Sequence, residues 1–197
     1  MRKSRIVAIA IAAGAALAFA QGARAQEMTP EMMETWAKFS NPGEHHQHFS
    51  EMVGNWTHTV TMWMAPDAPP MESTATSTSE LSMDGRWLEE MFSGTMWGMP
   101  FEGQNLLGYD NFRNEYISIW RDNLSTAPMI SRGTYDPATK TLTMTASVDD
   151  FMSGARDVPV RQVITSPDAT HSTMEMYMPA PDGSEFLTMR IESTKAP

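Results

Sequence analysis

The sequence contains no cysteine. A disulfide framework, a thiolate metal site and a lipidated amino-terminal cysteine are therefore all excluded. Basic residues are also scarce, with 14 Lys and Arg against 24 Asp and Glu and a net charge of −10. That balance argues against nucleic acid and anionic lipid surfaces as partners, because both require clustered cations. No apolar run reaches the ~20 residues that span a bilayer. The familiar catalytic signatures are missing as well: there is no Gly-x-Ser-x-Gly elbow. The glycine-punctuated "GMPFEGQNLLG" lacks the Lys and the following helix of a phosphate loop.

What is present begins with a targeting pattern. Arg2, Lys3 and Arg5 precede an apolar run from Ile6 to Ala20, and Ala23-Arg24-Ala25 fits a small-x-small cleavage site. Residues 1–25 are expected to be a cleaved signal peptide, which makes the mature chain from Gln26 periplasmic or secreted and leaves no membrane contact after cleavage. Cleavage removes four basic residues and no acidic one, so 10 basic residues face 24 acidic ones and the net charge becomes −14. At the remaining length one domain with a sizeable core is the default.

Residues 26–42 read as an N-terminal helical segment, with Thr29 as cap and Pro30 at the first helical position. A second helix is expected from Pro42 to Val53, with Asn41 as cap, Glu44 reaching back as in a capping box, and Gly54 as terminator. It serves as a helical lid. The domain at residues 43–197 is otherwise strand after strand, separated by turn chemistry such as "APDAPP", "MDG", "DNFRN", "DPATK" and "APDG". About ten strands and no intervening helix predict consecutive antiparallel hairpins. An open sheet of that size would leave two costly edges, so an all-β antiparallel barrel is the expected fold. The alternating strands locate its inner face. "WTHTVTMWM" sends Trp56, His58, Val60 and Met62 to one side, "TLTMTASV" sends Leu142 and Met144, and "HSTMEMYM" sends Met174 and Met176.

Gly54-Asn55-Trp56, entering the first strand after a helix, resembles the Gly-x-Trp that opens lipocalin-like calycin barrels. That resemblance implies that Gly54 and Trp56 close one end, with a basic residue of the last strand over the Trp; Arg190 in "LTMRIEST" is the matching candidate. Taken together, "GEHH" (43–46), "GRWLEE" (85–90), "GMPFEG" (98–103), "LLGYD" (106–110), "GTYD" (133–136) and "EMY" (175–177) resemble the bacterial family known as domain of unknown function 1579. The resemblance spans about residues 43–192. It implies a calycin-type barrel and carries no functional residues to transfer.

Three candidate chemistries remain. "GEHHQHF" places His45 and His48 at a spacing that suits a shared copper or zinc ion, with the methionines as further soft ligands, but the ligand set is incomplete in sequence. The competing reading is that His45 packs the lid on the barrel mouth while His46 and His48 are solvated. In "RWLEEM" only one of Glu89 and Glu90 can point inward, and a buried carboxylate there, partnered by His58 or His171, would suit a cofactor-free enzyme. The Ser/Thr strand "STATSTS" (73–79) is too small-sided to fill a barrel and so borders a cavity. With flexible methionines opposite it, the favoured reading is a small apolar molecule bound in a cavity lined by Trp56, His58, Val60, Met62, Leu142, Met144, Met174 and Met176. No motif calls for a cofactor, and nothing in the sequence fixes the oligomeric state.

Overall fold

The computed structural model describes residues 28–150 and 153–197, so the expected signal peptide lies outside the described residues. Among the described residues, those up to Trp36 belong to one unit and those from Ala37 onward to another. Helix α1 (Pro30–Ser40) starts as its sequence dictates, with the Met32 amide donating to Thr29 Oγ1 at 3.2 Å.

The expected helix from Pro42 to Val53 is instead two short helices, α2 (Glu44–Gln47) and α3 (Phe49–Met52). The cap is Gly43 rather than Asn41. Its amide donates to His46 Nδ1 at 3.1 Å, so His46 takes the part expected of Glu44. The break has a local cause. Ser50 Oγ donates to the Gln47 carbonyl at 2.6 Å, occupying an acceptor that a continuous helix would use, and the Glu51 amide turns to the His48 carbonyl.

Ten strands follow: β1 (Gly54–Met62), β2 (Met71–Ser82), β3 (Trp87–Met96), β4 (Met99–Asp110), β5 (Glu115–Asp122), β6 (Met129–Asp136), β7 (Thr141–Asp150), β8 (Ala155–Asp168), β9 (His171–Pro179) and β10 (Glu185–Lys195). Each pairs antiparallel with the next, and β10 returns to β1, so the described strands form a closed barrel without a free edge. This is the closed antiparallel barrel expected from the strand count, with the lipocalin-like architecture that the resemblance implies. The wall tightens at Gly133, where a Cβ would lie 1.9 Å from the Thr143 carbonyl oxygen.

The two ends differ. Where β1 begins and β10 finishes, Phe49 of α3 enters a core with Leu88, Leu107, Tyr116, Leu142 and Met144. Phe49 is fully buried and Met144 is 1% exposed, so the helical lid also plugs this end. Arg86 ties the preceding chain down, its Nε and Nη2 donating to the Ser40 carbonyl at 3.1 and 2.9 Å, and Asn111 Nδ2 donates to the Asn41 carbonyl at 2.8 Å. The opposite end carries exposed Met64, Met71, Trp97, Met99 and Leu124 on or beside its loops, and we refer to it as the mouth.

Phe49→Ala removes the plug's central ring from a filled core. It is expected to lower the unfolding free energy by about 3–5 kcal/mol, measured by urea denaturation. A loss below about 1 kcal/mol would show that α3 does not belong to the core.

Candidate functional site

The interior is divided by chemistry along the chain. From β1 to β6 the inward face carries His58, Ser77, Ser79, Glu90, Asn105, Ser118 and Ser131, while β7 to β10 present mainly Ala146, Val158, Val160, Met174, Met176 and Ile191, with Gln162 and Ser193 as polar exceptions. Strand alternation explains the polar half: "STATSTS" puts Ser77 and Ser79 inside and its threonines outside. The same phase sends Glu90 inward and Glu89 outward, with Glu90 opposite Ser79 on one side and Asn105 on the other.

These groups form a directed chain. Ser77 Oγ donates to Glu90 Oε1 at 2.7 Å, so its oxygen is free to accept from His58 Nε2 at 2.8 Å. His58 Nδ1 then accepts from Ser193 Oγ at 2.8 Å, across the seam between β1 and β10. This order assigns the neutral Nε2–H tautomer to His58. The ring is 5% exposed and stacks on Phe92 with centroids 4.4 Å apart. Burial holds its pKa down to about 4. Burial pushes the Glu90 carboxyl up, and hydrogen bonds from Ser77 and Ser79 oppose that rise. Further round the wall Ser118 donates to Asn105 at 2.6 Å, whereas the fully buried Ser131 hydroxyl has no protein partner.

Glu90 is desolvated by surrounding protein yet keeps part of its side chain accessible. A group walled in on its outer side and still accessible borders a space on its inner side. Phe92, Trp120, Met62, Phe101, Met129, Val158, Met174 and Met176 also keep partial exposure on the inward face, and several of them ring the mouth half. Leu142 and Met144, expected among the cavity-lining residues, lie in the packed core against the helical plug, where both are buried. Val60 and Trp56 are each 8% exposed. The open concavities of about 500 and 610 Å³ lie largely on the outer wall, one over threonines of β1, β2 and β10 and the other beside the β5–β6 loop.

The histidines of "GEHHQHF" do not converge. His45 stacks on Tyr109 at 4.0 Å, with Nδ1 3.2 Å from the Tyr116 hydroxyl; His46 meets Phe49 and Tyr109 edge-on; His48 lies over Tyr135 at 5.3 Å. His46 is buried, not solvated as expected, because its ring caps α2 and fills the plug, and burial lowers its pKa. Among the described residues no three His, Asp or Glu side chains gather as a metal set. His171 stands at the plugged end beside Asp168 at 3.1 Å, away from Glu90.

Closure also differs in one residue from expectation. Trp56 pairs in register with Lys195, whose Nζ lies 5.5 Å from the ring centroid and donates to the Glu51 carbonyl at 3.0 Å. Trp56 Nε1 donates to the Met52 carbonyl at 2.9 Å. Gly54 is required here, since its φ is +132° and a Cβ would come within 2.8 Å of Lys195 Cε. Arg190 cannot play this part. It is five positions from Lys195 along β10, an odd step that turns it to the outer face, where it pairs with Glu175 at 2.7 Å.

Comparison with known proteins agrees with this architecture. A family model described as protein of unknown function, DUF1579, matches residues 41–195. Among solved structures the chain is similar to Rv2717c from M. tuberculosis, with a TM-score of 0.58 and 13% identity over 80% of this chain and 100% of that one. It is also similar to the S-type phycobiliprotein lyase CPES from Guillardia theta, with a TM-score of 0.55 and 10% identity over 78% of this chain and 93% of that one. Identities this low establish the shared barrel fold alone. No curated protein matches the chain.

The His58 environment has a measurable consequence. Its folded pKa of about 4 lies below its ordinary value of 6.5, so the folded protein favours the neutral ring. The stability this contributes is present above about pH 6.5 and lost as pH falls toward 4, amounting to about 3 kcal/mol by linkage. Glu90 acts in the opposite sense, because its raised pKa favours the folded state at low pH and that contribution fades as pH rises through it. A proton NMR titration is expected to place the His58 midpoint near 4; a midpoint at or above 6.5 contradicts the buried chain.

Proposed function

Since the chain belongs to the DUF1579 family, whose description names no reaction, we propose on the geometry of its barrel that it is an exported binding protein. It takes a small, mostly apolar molecule through the mouth and holds it in the upper interior. The observation that carries this reading is the state of the inward side chains in the mouth half. Met62, Phe101, Trp120, Met129 and Met176 lie inside the wall and still keep accessible surface, while the plugged end is filled. A soluble barrel gains nothing from apolar side chains left accessible inside it, whereas a binding site needs them.

Two further features support this reading. Methionines on β1, β9 and β10 supply flexible, polarizable surface that adapts to a ligand without a fixed shape. The rim residues Met64, Met71, Trp97 and Met99 give an apolar molecule a landing surface at the mouth. The polar floor of Ser77, Glu90 and Asn105 then sets one end of the molecule apart from the other. The targeting pattern of residues 1–25 supports export, with the ligand met in the periplasm or outside the cell.

Uptake of a neutral, environment-sensitive naphthalene probe tests the proposal. The protein is expected to bind it with saturable fluorescence enhancement, and Met176→Trp is expected to abolish binding while the thermal midpoint moves by only a few degrees. Absence of probe binding by the unaltered protein, or full binding by Met176→Trp, would overturn the reading. A large loss of stability in Met176→Trp would show that this part of the interior is already filled core.

A further inference from the structure

Glu90 is an unusual residue to find inside this barrel. Among the described residues no Lys or Arg pairs with it. The inward-facing Lys195 is at the far, plugged end, committed to Trp56 and the Glu51 carbonyl. The one basic ring within the chain of hydrogen bonds, His58, is spent as a neutral donor to Ser77. Every dipole in that chain points its positive end toward Glu90: Ser193 to His58, His58 to Ser77, Ser77 to Glu90. These hydrogen bonds favour the carboxylate and partly offset the larger effect of burial, which raises its pKa, and they supply no counter-charge. A carboxylate has about four acceptor sites, and Ser77 and Ser79 use two of them. Burying a charge with acceptor sites left over costs free energy until a donor, best a cation, arrives.

The surroundings of Glu90 suit that cation. Phe92 is two residues along β3 on the same inward face; His58 covers one face of its ring, and the Trp120 ring meets it edge-to-face at 5.6 Å. Phe101 lies stacked 6.2 Å beyond Trp120, toward the mouth. The indole is held in place by its own Nε1, which donates to Asp122 Oδ2 at 2.8 Å, and its ring lies so close to Gly103 that a Cβ there would fall within 2.4 Å of it. A fixed group of aromatic faces beside a carboxylate is the arrangement that recognises ammonium groups, the rings through their quadrupoles and the carboxylate through its charge. A hydroxyl can donate to the carboxylate but gains nothing from the rings, a carbonyl has no hydrogen to offer it, and an anion is repelled by both. The excess of acidic residues in the chain draws in cations as well.

We propose that the ligand of this interior is an apolar amine, with its protonated nitrogen held between Glu90 and the rings of Phe92 and Trp120 and its apolar body against the methionines of β9 and β10. This deepens the binding reading above and rests on it.

Three naphthalene probes of equal size separate the two claims: 2-(1-naphthyl)ethylamine, 2-(1-naphthyl)ethanol and 1-naphthylacetate, titrated into the unaltered protein at neutral pH. The amine is expected to bind about tenfold or more tighter than the alcohol, with the acetate weakest. Glu90→Gln is expected to remove that preference by weakening the amine to the level of the alcohol, while Glu89→Gln, on the outer face, leaves it unchanged. Equal binding of amine and alcohol, or a preference that survives in Glu90→Gln, overturns the amine assignment and leaves the binding reading standing. Failure of all three probes to bind overturns both. If Glu90→Gln does not fold, the comparison of amine with alcohol in the unaltered protein decides the matter alone.

Discussion

The pairing of β1 with β10 is the constraint on which the rest depends. It turns a ten-stranded sheet into a wall with an inside, and its register decides which side chains meet there. Trp56 meets Lys195 and closes one end. Two residues further on, His58 meets Ser193, which fixes the ring that in turn orients Ser77 toward Glu90. A slip of one residue would turn Lys195 and Ser193 outward and bring Arg190 in, exchanging a hydrogen-bonded interior for an unpaired guanidinium.

A polar interior of this kind carries a cost that an apolar one would not. Hydrogen bonds recover most of it at His58, Ser77, Asn105 and Ser118, while Ser131 and Glu90 keep unused capacity. The plugged end supplies the compensating stability, because Phe49 and its five core neighbours are all buried against one another. The barrel therefore divides the work. One end holds the fold together and the other keeps accessible chemistry. The histidines just before β1 belong to the first task, each laid against a tyrosine of the plugged end.

Most of the fold was legible in the sequence because it depends on period-2 alternation and on turn residues, both of which are local. The inward phase of His58, Glu90 and Met176 follows from that alternation. The same logic identified Ser73 to Ser79 as a strand that could not fill a core, and it reserved one of Glu89 and Glu90 for the interior. What was hidden depends on partners distant in sequence. Lys195 lies two residues from the last residue of the sequence, in a segment with no apolar pattern to extend β10 that far, so Arg190 reads as the better match for Trp56. His46 reads as a surface residue until its ring is seen to accept from the Gly43 amide. Met144 looks no different from Met176 on its strand, and only the entry of Phe49 makes one of them core and leaves the other accessible.

The central claim is that Glu90 is a charged anchor reached by a ligand from the mouth. Carbon-13 NMR of the side-chain carboxyls reads this directly, in protein labelled at glutamate and titrated with a naphthyl amine or its matched alcohol. The account predicts that the amine shifts the Glu90 carboxyl resonance saturably at neutral pH, leaves Glu89 in place, and produces a larger shift than the alcohol. A Glu90 resonance that stays fixed while the amine binds would contradict it, since the ligand would then sit somewhere other than on this carboxylate.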